Sequence, residues 1–463
     1  MLQLRRSTSW QTLREPLDIR PKLRSWLFAE NSRPDLFLAQ QPRIPRTPLQ
    51  GASDWAEYIP AQEQQQEKPS KPNPRQIHQK LRQTLLKYAE LTQVCYDSFY
   101  GNDDDPKSFG CNKYPPERLM KETAAVNKAA HFEHYTAFRY LYANSVGLLD
   151  QENRYWIGYV AVSSRDDQGS RDVVFAWRGT VAQSEWHMDV MDKQVDYDEG
   201  LCPGVKMAEG FRTMYMRCGT GRDPPQVQVR KAMEAIYNEY GNEVGSLTVC
   251  GHSLGGALAT VNSFDLVAQG LNRRPDGTQV PVTAYTFASP RVGNQAFVDQ
   301  AAELGLKVLR TVNFRDVVPK VPGISKDELE GKTIEDDGSE YLGSLKAVGK
   351  ITKDLWRFVI SHKGDQYADI GTVLEFDTRD FPDLIKSASM GPKESASRVH
   401  NLEVLMHLID PNRDKALLNK TQDALLDDFG IPPRWYSTPY KGMRLQSDGT
   451  WKREKPFAEP LAQ

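Results

Sequence analysis

No run of 18 apolar residues occurs in the 463-residue chain, so no segment is long and apolar enough to cross a bilayer as a helix, and a soluble protein is expected. Cysteine is scarce. Cys95, Cys111, Cys202, Cys218 and Cys250 are odd in number and none stands in a C-x-x-C pair, which argues against a disulfide framework and a thiolate zinc site and fits a reducing compartment. Excess charge is missing too: 59 Lys and Arg face 61 Asp and Glu, a formal net charge of -2, so the basic surplus that phosphate backbones attract is absent and nucleic acid is not an expected partner. No group of His, Cys, Asp or Glu has metal-ligand spacing, and neither a metal nor another cofactor is expected. The first twenty residues, MLQLRRSTSWQTLREPLDIR, lack the apolar core of a secretory signal. Their Arg and Ser content leaves an organelle transit peptide open as the alternative to a cytoplasmic location, although Glu15 and Asp18 are untypical of such peptides.

What is present is enough for a sizeable core, with 39% hydrophobic and 10% aromatic residues. The stretch from Gln40 to Pro74 is rich in Pro and Gln without an apolar period and reads as a flexible insert, so residues 1–74 form an N-terminal segment and 75–463 one domain with a helical start. In that start, Leu81, Leu85, Tyr88, Thr92, Cys95 and Phe99 make one helical stripe. From Tyr155 the pattern turns to short β-rich runs. YWIGYVAVSS and DVVFAWRGT read as strands paired through a turn, and a helix with Val229, Met233, Ile236 and Tyr240 on one face ends at Gly241. SLTVCGHS, VTAYTFASP and LKVLRTVNF follow as strands, with LGGALATVNSFDLVAQG as a helix among them. Such alternation predicts an α/β fold, a mainly parallel sheet with helices on both faces.

Gly251-His252-Ser253-Leu254-Gly255 spells G-x-S-x-G between a strand and a small-residue helix. A sharp turn in that setting lifts a Ser hydroxyl above the sheet edge, and the two glycines allow strand and helix to approach. A hydroxyl at neutral pH needs a base, itself oriented by an acid, and in this fold the acid precedes the base in the chain. Asp316 follows the strand LKVLRTVNF, on a segment where Pro319 and Pro322 disfavour continued strand or helix. Asp265 falls inside the helix after the elbow, and Asp299 on a helix surface. Chain order leaves His362, His400 and His407 as bases. His400 is preferred, at a loop-to-helix junction; His407 lies two turns inside the helix and His362 in a polar run. Oxyanion donors are expected from Leu254, directly after the nucleophile, and from Thr180 at the end of DVVFAWRGT.

DVVFAWRGT with Glu185-Trp186, LTVCGHSLGGALAT, VTAYTFASPRVGN, LRTVNFRDVVPKVP and HNLEVLMHLID together resemble the lipase class 3 family, and within it the plant phospholipase A1 group. DKALLNKTQDALLDDFGIPPRW and KGMRLQSDGTW are similar to its cytosolic type. The resemblance runs over roughly residues 75 to 455 and includes SWQTLREPLDIRPKLRSWL. It implies an α/β-hydrolase fold in which Ser253 is nucleophile, Asp316 acid and His400 base. It further implies a glycerolipid substrate at a membrane or micelle surface, cleaved at the sn-1 ester. Two readings from other classes share this shell: a catalytically idle signalling scaffold, and an esterase for galactolipids, neutral lipids or small soluble esters. The chain departs from the family at Ala208, where a His usually stands, and in the Pro/Gln insert. Met188, Val190, Met191, Val195 and Leu201 offer an apolar face for a lid, while a plain acidic loop fits the same stretch equally.

Overall fold

The structure, a computed structural model, describes residues 77–100, 110–127, 132, 134–144, 154–179, 193–218, 222–316, 318–323, 367–378, 399–413, 443–445 and 451–453. The expected segment 1–74 with its insert lies outside the described residues, as do Thr180, Met188, Val190, Met191 and His362.

Two helices, α1 (Gln79–Asp97) and α2 (Pro116–Asn127), precede strands β1 (Tyr135–Asn144), β2 (Arg154–Ser163) and β3 (Arg171–Trp177). A small hairpin, β4 (Gln194–Asp196) and β5 (Lys206–Ala208), leads into α3 (Glu209–Met216) and α4 (Pro225–Tyr240). Then β6 (Val244–His252), α5 (Leu254–Ala268), β7 (Val282–Phe287), α6 (Gln295–Glu303) and β8 (Lys307–Asn313) alternate. The described chain continues with β9 (Thr372–Phe376), α7 (Leu402–Ile409) and the pair β10 (Met443–Leu445) and β11 (Trp451–Arg453).

Seven strands form one sheet in the order β1-β2-β3-β6-β7-β8-β9. The run from β3 to β9 is parallel throughout, while β1 and β2 add an antiparallel edge. Alternation along each strand divides the core. Val173, Phe175 and Trp177 of β3 join Leu247 and Val249 of β6 and side chains of α3 to α6. Val174, Ala176 and Cys250 point the other way, toward α1, α2 and α7. Helices thus cover both faces, and this is the α/β-hydrolase architecture expected. Because the central strands are buried on both sides, they read as near-continuous apolar runs. Helix α5 is buried from Leu254 to Val267, which explains why its sequence shows no polar face. The whole predicted stripe is buried, Leu81 to Cys95 on α1 and Phe99 just past its end. Helix α4 begins with Pro225 in its first turn and stops at Gly241, whose φ of 53° lies in the left-handed region.

Two strands have no clear sequence signature. In β1 the pairing shifts register between Ala137 and Arg139 and again between Leu141 and Tyr142, which breaks the two-residue period. β9 has only five residues and alternates weakly. Pro319, expected to interrupt regular structure after Asp316, sits inside a single 3-10 turn, Val318–Lys320.

Candidate active site

β6 ends at His252 and α5 starts at Leu254, so Ser253 alone makes the turn. Its φ of 59° and ψ of -129° lie where an L residue is strained, at a cost of about 1–3 kcal/mol. The surroundings hold it there. Its N–H donates to the Phe287 carbonyl at 2.9 Å, and its own carbonyl accepts from Gly256 N–H at 2.8 Å and Ala257 N–H at 3.2 Å. A Cβ on Gly251 would lie 2.1 Å from the Gly255 carbonyl oxygen, and one on Gly255 would lie 2.3 Å from the Trp177 carbonyl oxygen. Strand, turn and helix therefore meet with no room for side chains at these two positions.

Asp316 stands just past β8 and is buried, 1% exposed. Its N–H donates to the Asn313 carbonyl, and its Oδ1 accepts from Val318 N–H at 3.0 Å. Oδ2 lies 2.6 Å from His400 Nδ1, and His400 Nε2 lies 2.8 Å from Ser253 Oγ. The side chains of Ser253, His400 and Asp316, far apart in sequence, thus form one continuous hydrogen-bonded line. A carboxylate only accepts, so Nδ1 carries the hydrogen and Nε2 is left to accept the Ser253 hydroxyl proton.

His400 itself is anchored from both sides. Asn313 Nδ2 donates to the Val399 carbonyl at 2.9 Å, and the Asn401 side chain caps α7, accepting from the N–H groups of Glu403 at 2.8 Å and Val404 at 3.3 Å. His252 Nε2 meets the His400 carbonyl at 2.7 Å. These three supporting residues were not singled out from sequence. Only Asn401 carried a local signal, a capping residue directly before an apolar helical run.

Packing accounts for His407 and Asp265. His407 is fully buried and its Nδ1 donates to the Glu403 carbonyl at 2.8 Å. Asp265 accepts from Tyr197, Tyr215 and Gln226 within the core, and burial pushes its carboxyl above the ordinary aspartate range. Asp299 is exposed on α6.

Leu254 occupies the first position of α5, where backbone N–H groups have no acceptor within the helix and the helix dipole is positive. That end of the helix, beside Ser253 Oγ, is suited to a developing negative charge. The loop toward Thr180 is fixed as far as it is described: the buried Arg178 guanidinium donates to the carbonyls of Trp156 at 3.1 Å and Gly179 at 2.9 Å and lies over the Phe99 ring. Of the proposed lid, Val195 belongs to β4, and Leu201 is 44% exposed in the turn that joins β4 to β5. Ala208, at the end of β5, is fully buried. Among the described residues no group of three or more His, Cys, Asp or Glu is placed to hold a metal ion, and no helix is long and apolar enough to cross a membrane.

Residues 174–326 match the family model described as Lipase (class 3). The chain is 34% identical to phospholipase A1-Igamma1, chloroplastic, of Arabidopsis thaliana, over 80% of this chain and 73% of that protein. It is 33% identical to phospholipase A1-Igamma2, chloroplastic, of the same plant, over 92% and 79%. To phospholipase A1-II 4 of Oryza sativa subsp. japonica it is 32% identical, over 80% of this chain and 89% of that protein.

Proposed function

Because the chain belongs to the lipase class 3 family, with the plant phospholipases A1, we propose that it hydrolyses the sn-1 acyl ester of glycerophospholipids with Ser253 as nucleophile, His400 as base and Asp316 as the acid that orients it. The observation that carries this reading is the unbroken line from Ser253 Oγ through the His400 ring to Asp316. The chain is a serine ester hydrolase in this account. An intact line of this kind, on a strained turn at the mouth of a helix, favours the enzyme over an idle scaffold.

The chemistry proceeds by two proton shuttles. His400 Nε2 takes the Ser253 proton as Oγ attacks the ester carbonyl carbon, and the carbonyl oxygen becomes an oxyanion. Leu254 N–H donates to it, with Thr180 as the second donor. Nδ1–H of His400 stays on Asp316, whose negative charge stabilises the imidazolium. The proton then passes from Nε2 to the departing lysolipid oxygen, the ester C–O bond breaks, and an acyl-Ser253 remains. Water, deprotonated by the same nitrogen, attacks the acyl carbon, and the fatty acid leaves as Ser253 regains its proton. No step calls on a cofactor.

The two Arabidopsis relatives are named chloroplastic, which favours the chloroplast over the cytoplasm as the location of this chain. The cytoplasmic expectation gains no support from these names. Imaging the full chain with a C-terminal fluorescent tag in leaf cells tests the location, and diffuse cytoplasmic signal overturns it. For the reaction, the decisive experiment is a phospholipid with different acyl chains at sn-1 and sn-2 and mass analysis of the released acid. Release of the sn-1 chain is expected. Predominant release of the sn-2 chain overturns the regiochemistry, and no release from any glycerolipid overturns the substrate class.

A further inference from the structure

Helix α1 reaches the site with one side chain. Tyr96 Oη lies 2.7 Å from His252 Nδ1, and the other nitrogen of that imidazole, Nε2, lies 2.7 Å from the main-chain oxygen of His400. A carbonyl oxygen only accepts, so Nε2 carries the hydrogen. A neutral imidazole has one N–H, which leaves Nδ1 to accept from the Tyr96 hydroxyl. Burial first, and the facing His400 ring second, hold the His252 pKa well below the ordinary histidine value, so the ring is neutral at physiological pH. The direction of both bonds follows: Tyr96 O–H to His252, then His252 N–H to His400.

The corner is shaped for this contact. A Cβ on Gly179 would lie 2.1 Å from Tyr96 Oη, 2.6 Å from the His252 carbonyl oxygen and 3.3 Å from Ser253 Cβ. The glycine of Arg178-Gly179-Thr180 therefore leaves room for the Tyr96 hydroxyl beside the nucleophile. The His252 and His400 rings lie 4.8 Å apart between centroids. A positive charge at His252 would oppose the imidazolium that forms on His400 during the reaction, and a neutral ring avoids it.

We propose that Tyr96 and His252 are positioning residues for His400, holding its main chain so that Nε2 stays in line with Ser253 Oγ. The proposal rests on the hydrolase reading above. Asn313 and Asn401 act on the residues before and after His400, whereas His252 acts on His400 itself. His252 also adjoins the nucleophile in the chain, so one residue ties the elbow to the base. Tyr96 then couples both to α1, a helix that precedes the region matched by the family model.

The test uses the full chain and a soluble p-nitrophenyl ester, with active sites counted by complete labelling with a fluorophosphonate. Tyr96→Phe deletes one hydroxyl and is expected to lower kcat per labelled site about five-fold with KM unchanged, the size of one modest hydrogen bond. His252→Leu is expected to lower it about 10²-fold, and His252→Gln, which keeps an N–H donor, to recover most of that loss. In the His252→Leu background, Tyr96→Phe adds nothing, because both act along one path. Should His252→Leu fail to fold, the same comparison is made in His252→Gln, where the Tyr96→Phe effect shrinks. Wild-type kcat in Tyr96→Phe, or effects that multiply independently in the double variant, overturns the proposal. A wild-type chain that neither labels nor turns over overturns the hydrolase reading first, which is a different result from a labelled enzyme indifferent to Tyr96.

Discussion

Asp316 Oδ2 and His400 Nδ1 lie 2.6 Å apart although the two residues are 84 positions apart in the chain. The carboxylate is almost wholly shielded from water and the imidazole is only part-buried, so the acid end of the pair is the more rigid. The bond selects the His400 tautomer whose free nitrogen faces Ser253. Replacing Asp316 by Asn changes little in shape but presents an N–H to Nδ1 in one orientation of the amide, which favours the tautomer with the hydrogen on Nε2. Asp316→Asn is therefore expected to reduce kcat about 10⁴-fold. Ser253→Ala and His400→Ala are expected to reduce it by about 10⁶. Turnover of a short-chain ester by each purified variant checks the order; an Asp316→Asn enzyme within ten-fold of wild type removes Asp316 from its role.

The glycines around the elbow separate steric demand from backbone conformation. At Gly255 a Cβ meets backbone atoms, the Trp177 carbonyl oxygen at 2.3 Å and the Arg178 carbonyl carbon at 2.7 Å, so either β3 or α5 must move. Gly255→Ala is expected to destabilise the fold by about 1–3 kcal/mol and to slow fluorophosphonate labelling of Ser253, because the displaced end of β3 leads directly into Gly179, which packs against Ser253. Gly270 has φ of 66° with open space around it, and Gly270→Ala is expected to cost about 1–2 kcal/mol with unchanged labelling. Thermal unfolding with labelling rates distinguishes them. Equal labelling by Gly255→Ala and wild type rules out the steric account.

The elements that carry Ser253 were legible because local and global signals coincide there: an apolar strand, a glycine-bounded turn and a small-residue helix occur consecutively. Asp316 and His400 were reachable through chain order together with position, after a strand in one case and before a helix in the other. The supporting contacts were not. Tyr96 lies off the apolar stripe of α1, and its partner His252 is 156 residues away, so no periodicity links them. Asn313 reads as the end of a strand, and only the fold places its amide on the Val399 carbonyl. Bulges concealed β1 for a different reason, since a strand is recognised by a period that the extra residues interrupt.

Acid should loosen the segment that follows Asp316. Asp369 pairs with Arg310 and, at 3.3 Å, with Arg291. Those arginines also donate to the Pro319 and Gly323 carbonyls, fixing the loop after the acid. Burial alone would raise the Asp369 carboxyl, but the charges of Arg310 and then Arg291 outweigh it and hold the pKa below the ordinary value. With a folded-state pKa below the unfolded one of about 4, the contribution to stability is fully present above that value and lost as pH falls through the folded pKa. Asp369 is half-exposed, so the pair is worth about 1 kcal/mol. Urea unfolding is therefore expected to show Asp369→Asn less stable than wild type from pH 5 to 7, with the gap narrowing at pH 3. A gap that is constant down to pH 3 refutes the assignment.

Asn401 offers a milder test of how firmly His400 must be held. Helix α7 has eight residues, and its first N–H groups depend on the Asn401 side chain. Removing the cap should cost about 1 kcal/mol and fray the first turn, directly after the base. Because His252 and Asn313 still anchor the segment, the frayed turn should displace His400 part of the time. Asn401→Ala is thus expected to lower kcat two- to ten-fold with KM unchanged. Asn401→Asp supplies an acceptor at the same place and is expected to restore both stability and kcat. Kinetics at 25 °C, where every variant is folded, separate the two effects. If Asn401→Ala lowers the unfolding temperature but leaves kcat at the wild-type value, the cap stabilises α7 without bearing on His400.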